Sequence, residues 1–166
     1  MENKTGRPIL DAYCAARVGS HKTPLGISHR VKSMRQNLPG TSPYEPIIGF
    51  SRAVRIGNAI HISGTGPVGA DGLDVVAQTH RIFEIAAEVL TRAGSSLKDV
   101  VRTRMYLTHV EDWEAVGRVH GEIFQHIRPA ATMVVVAQLL NPNWRVEIEL
   151  DAVVEPADPI SSAEGQ

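Results

Sequence analysis

Cysteine is almost absent. Cys14 is the single one in 166 residues, so no internal disulfide is available, and it says little about a metal site. Aromatic residues make up only 5%, so the core has to be aliphatic. No apolar run approaches the ~18 residues of a membrane span. The opening MENKTG lacks the apolar stretch of a signal peptide, and a cytoplasmic protein is expected. A formal net charge of −1 gives no reason to expect nucleic acid as a partner. The charge is uneven, however. Residues 1–40 carry Lys4, Arg7, Arg17, Lys22, Arg30, Lys32 and Arg35 against Glu2 and Asp11, while the rest of the chain is acidic. The length suits one domain with tails.

The most informative stretch is RPAATMVVVAQLLNPNWRVEIELDAVV, from Arg128 to Val154. It reads as two strands around a turn. The first is Thr132–Leu139 and the turn is Asn141-Pro142-Asn143, since Pro lacks an N–H and Asn tolerates tight turns. The second alternates Val146, Ile148, Leu150 and Ala152 with Glu147, Glu149 and Asp151, the period-two mark of a half-buried strand. Its polar face sets three carboxylates in a row, which crowd one another unless water, a ligand or a partner relieves them.

Upstream, AVRI and AIHIS flank Gly57-Asn58, a hairpin signal because both turn residues accept positive φ. Ser63-Gly64 ends the second of these strands with a backbone that a ligand can approach closely. From Val75 to Ala93, apolar residues at Val76, Thr79, Ile82, Phe83, Ala86, Val89, Leu90 and Ala93 predict one helical stripe, with Asp74 as N-cap and Gly94 just past the end. Asp99–His109 alternates as a strand, with Arg102 and Arg104 on a solvated or salt-bridged face. Asp112 is placed to cap a second helix, ending near Ile127, whose stripe is Trp113, Val116, His120, Phe124 and Ile127. Gly117 and Gly121 in that helix cost stability, so a close approach to the sheet is their expected gain.

The order β-β-α-β-α-β-β predicts an α+β, two-layer domain, a mixed sheet with two helices on one face. Its other face is left uncovered, which points to a symmetric oligomer. Residues 1–42 read as a basic arm or extension with a short helix over 9–18, residues 43–155 as the domain, and 156–166 as a tail.

Several pieces, in this order and spacing, resemble the RidA/YjgF family, also labelled L-PSP endoribonuclease. They are PIIGFSRAVRIGN, HISGTGPVGADG, GSSLKDVVRTRMYLTHVEDWEAV, RPAAT and VEIELDAVV, spanning about Glu45 to Val154. The resemblance implies a chorismate-mutase-like fold assembled as a homotrimer, with small-molecule pockets between subunits. It also implies cofactor-free hydrolysis of imines and enamines, with no metal. Carried over residue by residue, the Ser-Gly turn is Ser63-Gly64 and the water-handling glutamate is Glu147. The family's substrate-binding arginine falls on Ala131, its tyrosine on Phe50, and a frequent cysteine on Met133. His120 takes a position often held by tyrosine. Arg52 and Arg128 are the candidate cations to replace the missing arginine, and a Glu147–His120 pair is a candidate for acid–base chemistry if the two lie within hydrogen-bond reach.

Three readings follow. The first is a hydrolase or deaminase acting on C–N bonds of a reactive imine, enamine or related metabolite. The second is a non-catalytic trimer that binds a ligand or regulates a partner, favoured by the alanine at position 131. The third, an RNA-binding translation inhibitor, rests on the basic arm alone.

Overall fold

The computed structural model describes residues 35–155. The proposed arm helix at 9–18, Cys14 and the C-terminal tail lie outside them. Six strands form one sheet: β1 (Arg35–Leu38), β2 (Ala53–Ile56), β3 (Ala59–Thr65), β4 (Val100–Leu107), β5 (Ala130–Val135) and β6 (Val146–Val153). Three α-helices accompany them: α1 (Glu45–Ile48), a single turn, α2 (Val75–Arg92) and α3 (Trp113–Phe124).

The strand order is β1-β2-β3-β6-β4-β5. β6 is antiparallel to both β3 and β4, so β3 and β4 run parallel to each other, and β4 and β5 pair directly in parallel. Each of these two pairs is joined by a crossover helix, as parallel strands require. The last strand inserts between β3 and β4 and fills the middle of the sheet.

That insertion corrects the expected strand-turn-strand unit at 128–154. β5 ends at Val135 and pairs with β4, and the chain then crosses the end of β4 to start β6. Val136 N–H donates to Leu107 O at 2.8 Å and Thr108 N–H to Arg145 O at 3.0 Å. The Asn141–Asn143 turn is present as an Asx turn, closed by Asn143 N–H on Asn141 Oδ1 at 3.0 Å, but it joins non-neighbouring strands. β1 lies within the stretch assigned to the arm and pairs antiparallel with β2. Its RQNL sequence carries no apolar alternation that would have announced it.

α2 and α3 cover one sheet face. The core between them and the sheet contains Ile82, Phe83, Leu90, Val116, Val119 and Phe124 from the helices, and Ile60, Ile62, Met105, Leu107, Ile148 and Leu150 from the strands. Two expected stripe residues fall outside it, since Val76 is 41% and Trp113 57% exposed. Val75 and Val119, outside the expected stripes, are buried, while the other positions of the α2 stripe and Val116 and Phe124 of α3 are buried as expected. A Cβ on Gly117 or Gly121 would meet nothing within 4 Å, so these glycines face open space and do not serve close packing on the sheet.

The helix ends are held as follows. Asp74 Oδ1 accepts from Ala77 N–H at 2.9 Å at the start of α2. At its end, Gly94 has φ +73, while Ser95 N–H bonds Leu90 O and Gly94 N–H bonds Thr91 O, a Schellman closure. Arg55 of β2 reaches over to cap Ala93 O. Asp112 stands at the N-cap of α3 but makes no side-chain cap. Its buried carboxylate instead takes a two-pronged contact from Arg145, 2.8 Å on each oxygen, which ties the start of α3 to the start of β6.

The same junction holds a buried amide. Gln78 donates to Leu73 O at 3.0 Å and Asn143 O at 2.9 Å, and accepts from Arg145 N–H at 2.8 Å. Gln78 therefore pins the crossover loop to α2. Gln78→Leu keeps the volume but strands three backbone groups, and urea denaturation is expected to register a loss of about 2–4 kcal/mol. A loss under about 0.5 kcal/mol, the scale of an ordinary surface substitution, would show that the loop is held by other means.

Candidate functional site

The uncovered sheet face carries the polar chemistry. β6 points Val146, Ile148, Leu150 and Ala152 into the core and Glu147, Glu149 and Asp151 to the opposite side. Opposite them on β4 stand Tyr106, Arg104 and Arg102. The crowding of three carboxylates is relieved unequally. Glu149 accepts from Tyr106 Oη at 2.9 Å and from Arg104 Nη1 at 3.2 Å. Asp151 lies 3.3 Å from Arg104 Nη2 and 2.7 Å from His61 Nδ1. One guanidinium thus bridges two acids.

Glu147 has no such partner among the described residues. Its carboxylate lies over the backbone of Gly64, where a bulge interrupts the β3–β6 register between Ile62 and Thr65. A Cβ at Gly64 would collide with Glu147 Oε1, so a side chain there would displace the carboxylate. The φ of Gly64 is not positive, and close approach is what selects the glycine.

Behind the turn lies Arg52. Its Nη2 donates to Ser63 O and to Gly64 O, the latter at 2.6 Å, and its buried Nε has no partner among the described residues. Ser63 Oγ donates to Ser51 O at 2.7 Å, so the Phe50–Arg52 segment is stitched to the Ser-Gly turn. Glu45 backs Arg52 from the other side, with both carboxylate oxygens on Gly40 N–H at 2.9 and 3.0 Å. The charges therefore run Glu45, Arg52, Glu147. Burial lowers the Arg52 pKa from its ordinary value, and the two acids oppose that. Burial raises the Glu147 carboxyl above the usual carboxylate range, Arg52 pulls it back, and Glu149 pushes it further up.

Phe50, Arg52, Ser63, Gly64 and Glu147 thus come together in one chain. The remaining candidates do not join them. His120 lies on the helix side of the sheet. Its Nε2 is 2.9 Å from Thr103 Oγ1, and its ring packs against Phe124 and Phe83 at centroid distances of 4.8 and 6.2 Å. Thr103 is fully buried and pairs with Leu150, so His120 and Glu147 stand on opposite faces and form no acid–base pair. Burial lowers the His120 pKa, as suits a neutral core imidazole.

Ala131 and Met133 lie on the edge strand β5, opposite Thr103 and Met105. Ala131 is exposed, and Met133 packs in part on the core. Arg128 is exposed at the entry to β5 with φ +55, at the far end of the strand from Glu147. Any meeting of β5 with the Glu147 turn would be between chains.

Sequence reasoning missed Glu45, Gly40 and Tyr106 as supports of this site. It also missed Trp144, whose ring covers Gly66 so closely that a Cβ there would strike it, while its Nε1 donates to Asp71 Oδ1 at 2.8 Å. The SGTGP run hinted at close approach without naming the atoms that approach. Among the described residues no group of three or more His, Cys, Asp or Glu is placed to hold a metal, and no helix is long and apolar enough to cross a membrane.

Comparisons with known proteins agree with this picture. The family profile described as Endoribonuclease L-PSP matches residues 40–154. The 3-aminoacrylate deaminase RutC of Acinetobacter baylyi is 32% identical over 66% of this chain and 88% of its own length. The 2-iminobutanoate/2-iminopropanoate deaminase of Dermatophagoides farinae is 31% identical over 67% of this chain and 90% of its own. A crystal structure of a YjgF/YER057c/UK114 family member from Mycobacterium tuberculosis superposes with a TM-score of 0.68 at 43% identity, covering 72% of this chain and 99% of that one. The inserted central strand, the helix-free face and the carboxylate seated on the Ser-Gly bulge are thus features of a chain that belongs to the Endoribonuclease L-PSP family, also called RidA/YjgF.

Proposed function

We propose that this protein is an imine or enamine hydrolase working as a homotrimer, with Glu147 handling the water. One observation carries the reading: Glu147 is the acid on the open face whose oxygens are not engaged by a neighbouring side chain, and it sits half-buried against a turn whose backbone a small ligand can reach. A carboxylate raised by burial is a better base than an ordinary one once ionised, and Arg52 opposes that rise in favour of the anion. A water on Glu147 would add its oxygen to the C=N carbon while the carboxylate takes a proton. Returning that proton to nitrogen makes ammonia the leaving group and leaves a carbonyl product. Nothing in this sequence calls for a cofactor or a metal. Relatives named as deaminases of 3-aminoacrylate and of 2-imino acids support the reaction class.

The trimer, and with it a pocket between subunits, is supported by the uncovered face, where half-buried charges share the sheet with the exposed apolar side chain of Val134, which pairs with Tyr106. A second reading, a non-catalytic trimer that binds a small ligand, is favoured by the exposed Ala131, which brings no side-chain donor to such a pocket. The nucleic-acid reading fits poorly, because Glu147, Glu149 and Asp151 would repel phosphate.

Three measurements test this reading. Light scattering at micromolar concentration is expected to give a mass of about 54 kDa, three times the 18.0 kDa chain; a mass of one chain would end the inter-subunit pocket. Ammonia release from freshly generated imines is expected to fall by roughly 10²–10⁴-fold in Glu147→Gln, the range for loss of a general base. Equal turnover by that variant would remove Glu147 from the chemistry.

The pH dependence has a fixed sign. The working form of Glu147 is the anion, so kcat/KM should rise with pH through a midpoint above the ordinary glutamate value of about 4.3. Arg52→Gln removes the charge that opposes burial and should move that midpoint higher. Stability runs the other way. A carboxyl whose folded pKa is raised contributes most when protonated, and that contribution is lost as pH climbs from the unfolded pKa through the folded one. Glu147→Gln should therefore be no less stable than the native chain at neutral pH, with its advantage vanishing as the pH drops below the unfolded value. A variant clearly less stable at pH 7 would mean that the anion is held better than its burial implies.

A further inference from the structure

The charges around Glu147 restrict what can bind beside it, and this step rests on the hydrolase reading above. The guanidinium nearest to it, Arg52, has its Nη2 engaged by two backbone carbonyls and is flanked by Glu45 as well as Glu147. Arg104 is shared between Glu149 and Asp151, and Arg145 is held by Asp112. Arg102 faces Asp151, four residues along β4 from Tyr106, which faces Glu147; at ~3.3 Å per residue that is about 13 Å away. The exposed start of β5, Ala130-Ala131-Thr132, adds no charge. Within one chain, then, Arg52 is the described cation nearest Glu147 and is already shared between two carbonyls and two acids, while Arg128 lies at the far end of β5.

The same neighbourhood is apolar on its other side. Tyr44, Ile47 and Ile48, in and just before α1, and Phe50 after it are all exposed in the single chain. α1 buries none of its residues. Phe50 N–H bonds Glu45 O at 3.2 Å, and Arg52 carries the segment onto the Ser63-Gly64 turn that seats the carboxylate.

We propose that the substrate is an iminium ion without a carboxylate, bearing an apolar or aryl substituent that lies against Phe50 and α1. The cation meets a Glu147 that no neighbouring side chain engages, whereas a 2-imino acid would bring a second negative charge beside it, with the one adjacent guanidinium, Arg52, already shared with Glu45 and two carbonyls. The reaction balances without a co-reactant: R–CH=NH2+ and water give R–CHO and NH4+. Water's oxygen forms the new C–O bond, the C=N π electrons move to nitrogen, and Glu147 relays the first water proton to that nitrogen. The C–N bond then breaks as the hydroxyl gives up its proton through Glu147, its O–H electrons form the C=O bond, and the departing ammonia takes that proton to leave as NH4+. No atom is oxidised or reduced. The supplying reaction would be the oxidation of a primary amine, and the product an aldehyde or ketone.

The test compares imines of matched length made in place, 2-imino acids from apolar amino acids with an amino-acid oxidase and carboxylate-free imines from the corresponding amines with an amine oxidase. Hydrolysis is read as faster ammonia release and less semicarbazide-trapped imine than in the enzyme-free control. The expected result is a kcat/KM higher for the carboxylate-free member by roughly tenfold or more, the scale of one like-charge contact at a protein surface. Ala131→Arg should narrow or reverse that preference, and Phe50→Ala should raise KM for aryl and long-chain imines. Glu147-dependent turnover that favours the 2-imino acids would overturn the proposal while leaving the hydrolase reading intact. Silence on both classes, from a chain shown to be folded and trimeric, would overturn both.

Discussion

The alternation of β6 is the constraint on which the rest of the structure depends. This strand sits between β3 and β4, so its two faces are the two faces of the sheet centre. Ile148 and Leu150 lie within the core at 1% exposure each, and Glu147, Glu149 and Asp151 stand on the other side. A one-residue slip would exchange the two sets and bury three carboxylates. The register is fixed by that penalty, and the junction at its start is fixed by Gln78 and by the Arg145–Asp112 pair. With the register set, the helices can cover only the apolar face. The acids must be answered by whatever their neighbours on β3 and β4 supply.

Those answers are unequal, and the inequality makes a site. Tyr106, Arg104 and His61 engage Glu149 and Asp151. On its β3 side Glu147 faces a bulge instead of a paired residue, and what lies beneath it is backbone. Its one nearby cation is turned toward carbonyl groups. A carboxylate in that position is held between burial, which favours its neutral form, and Arg52, which favours the anion. Groups left in such a balance are where proteins place proton-transfer chemistry. Arg52 therefore serves two ends at once, fixing the shape of the Ser63-Gly64 turn and setting the charge of the acid above it. Its guanidinium is flanked by Glu45 for the same electrostatic reason.

His120 shows how far a plausible pairing can mislead. A glutamate and a histidine in one chain invite an acid–base reading, but parity along β4 and β6 decides the matter. Thr103 pairs with Leu150 and Tyr106 with Glu147, so the imidazole on Thr103 is separated from the carboxylate by the sheet itself. The ring sits against Phe83 and Phe124 on the helix side of the sheet.

The sequence by itself determined the two-layer α+β class, the positions of both long helices, the Gly57-Asn58 hairpin, and the division of β6 into an apolar and an acidic face. These follow from local periods and turn chemistry, which act over a few residues. It also marked Ser63-Gly64 and Glu147 as partners worth watching. Tertiary structure alone decided that β6 enters between β3 and β4 and that β5 pairs with β4. It decided that RQNL is a strand because β2 offers an edge, and that Asp112 answers Arg145 instead of capping a helix. It also decided which of three identical-looking carboxylates keeps its oxygens free. Each of those outcomes depends on which distant residue arrives opposite, and no local pattern in a chain carries that information.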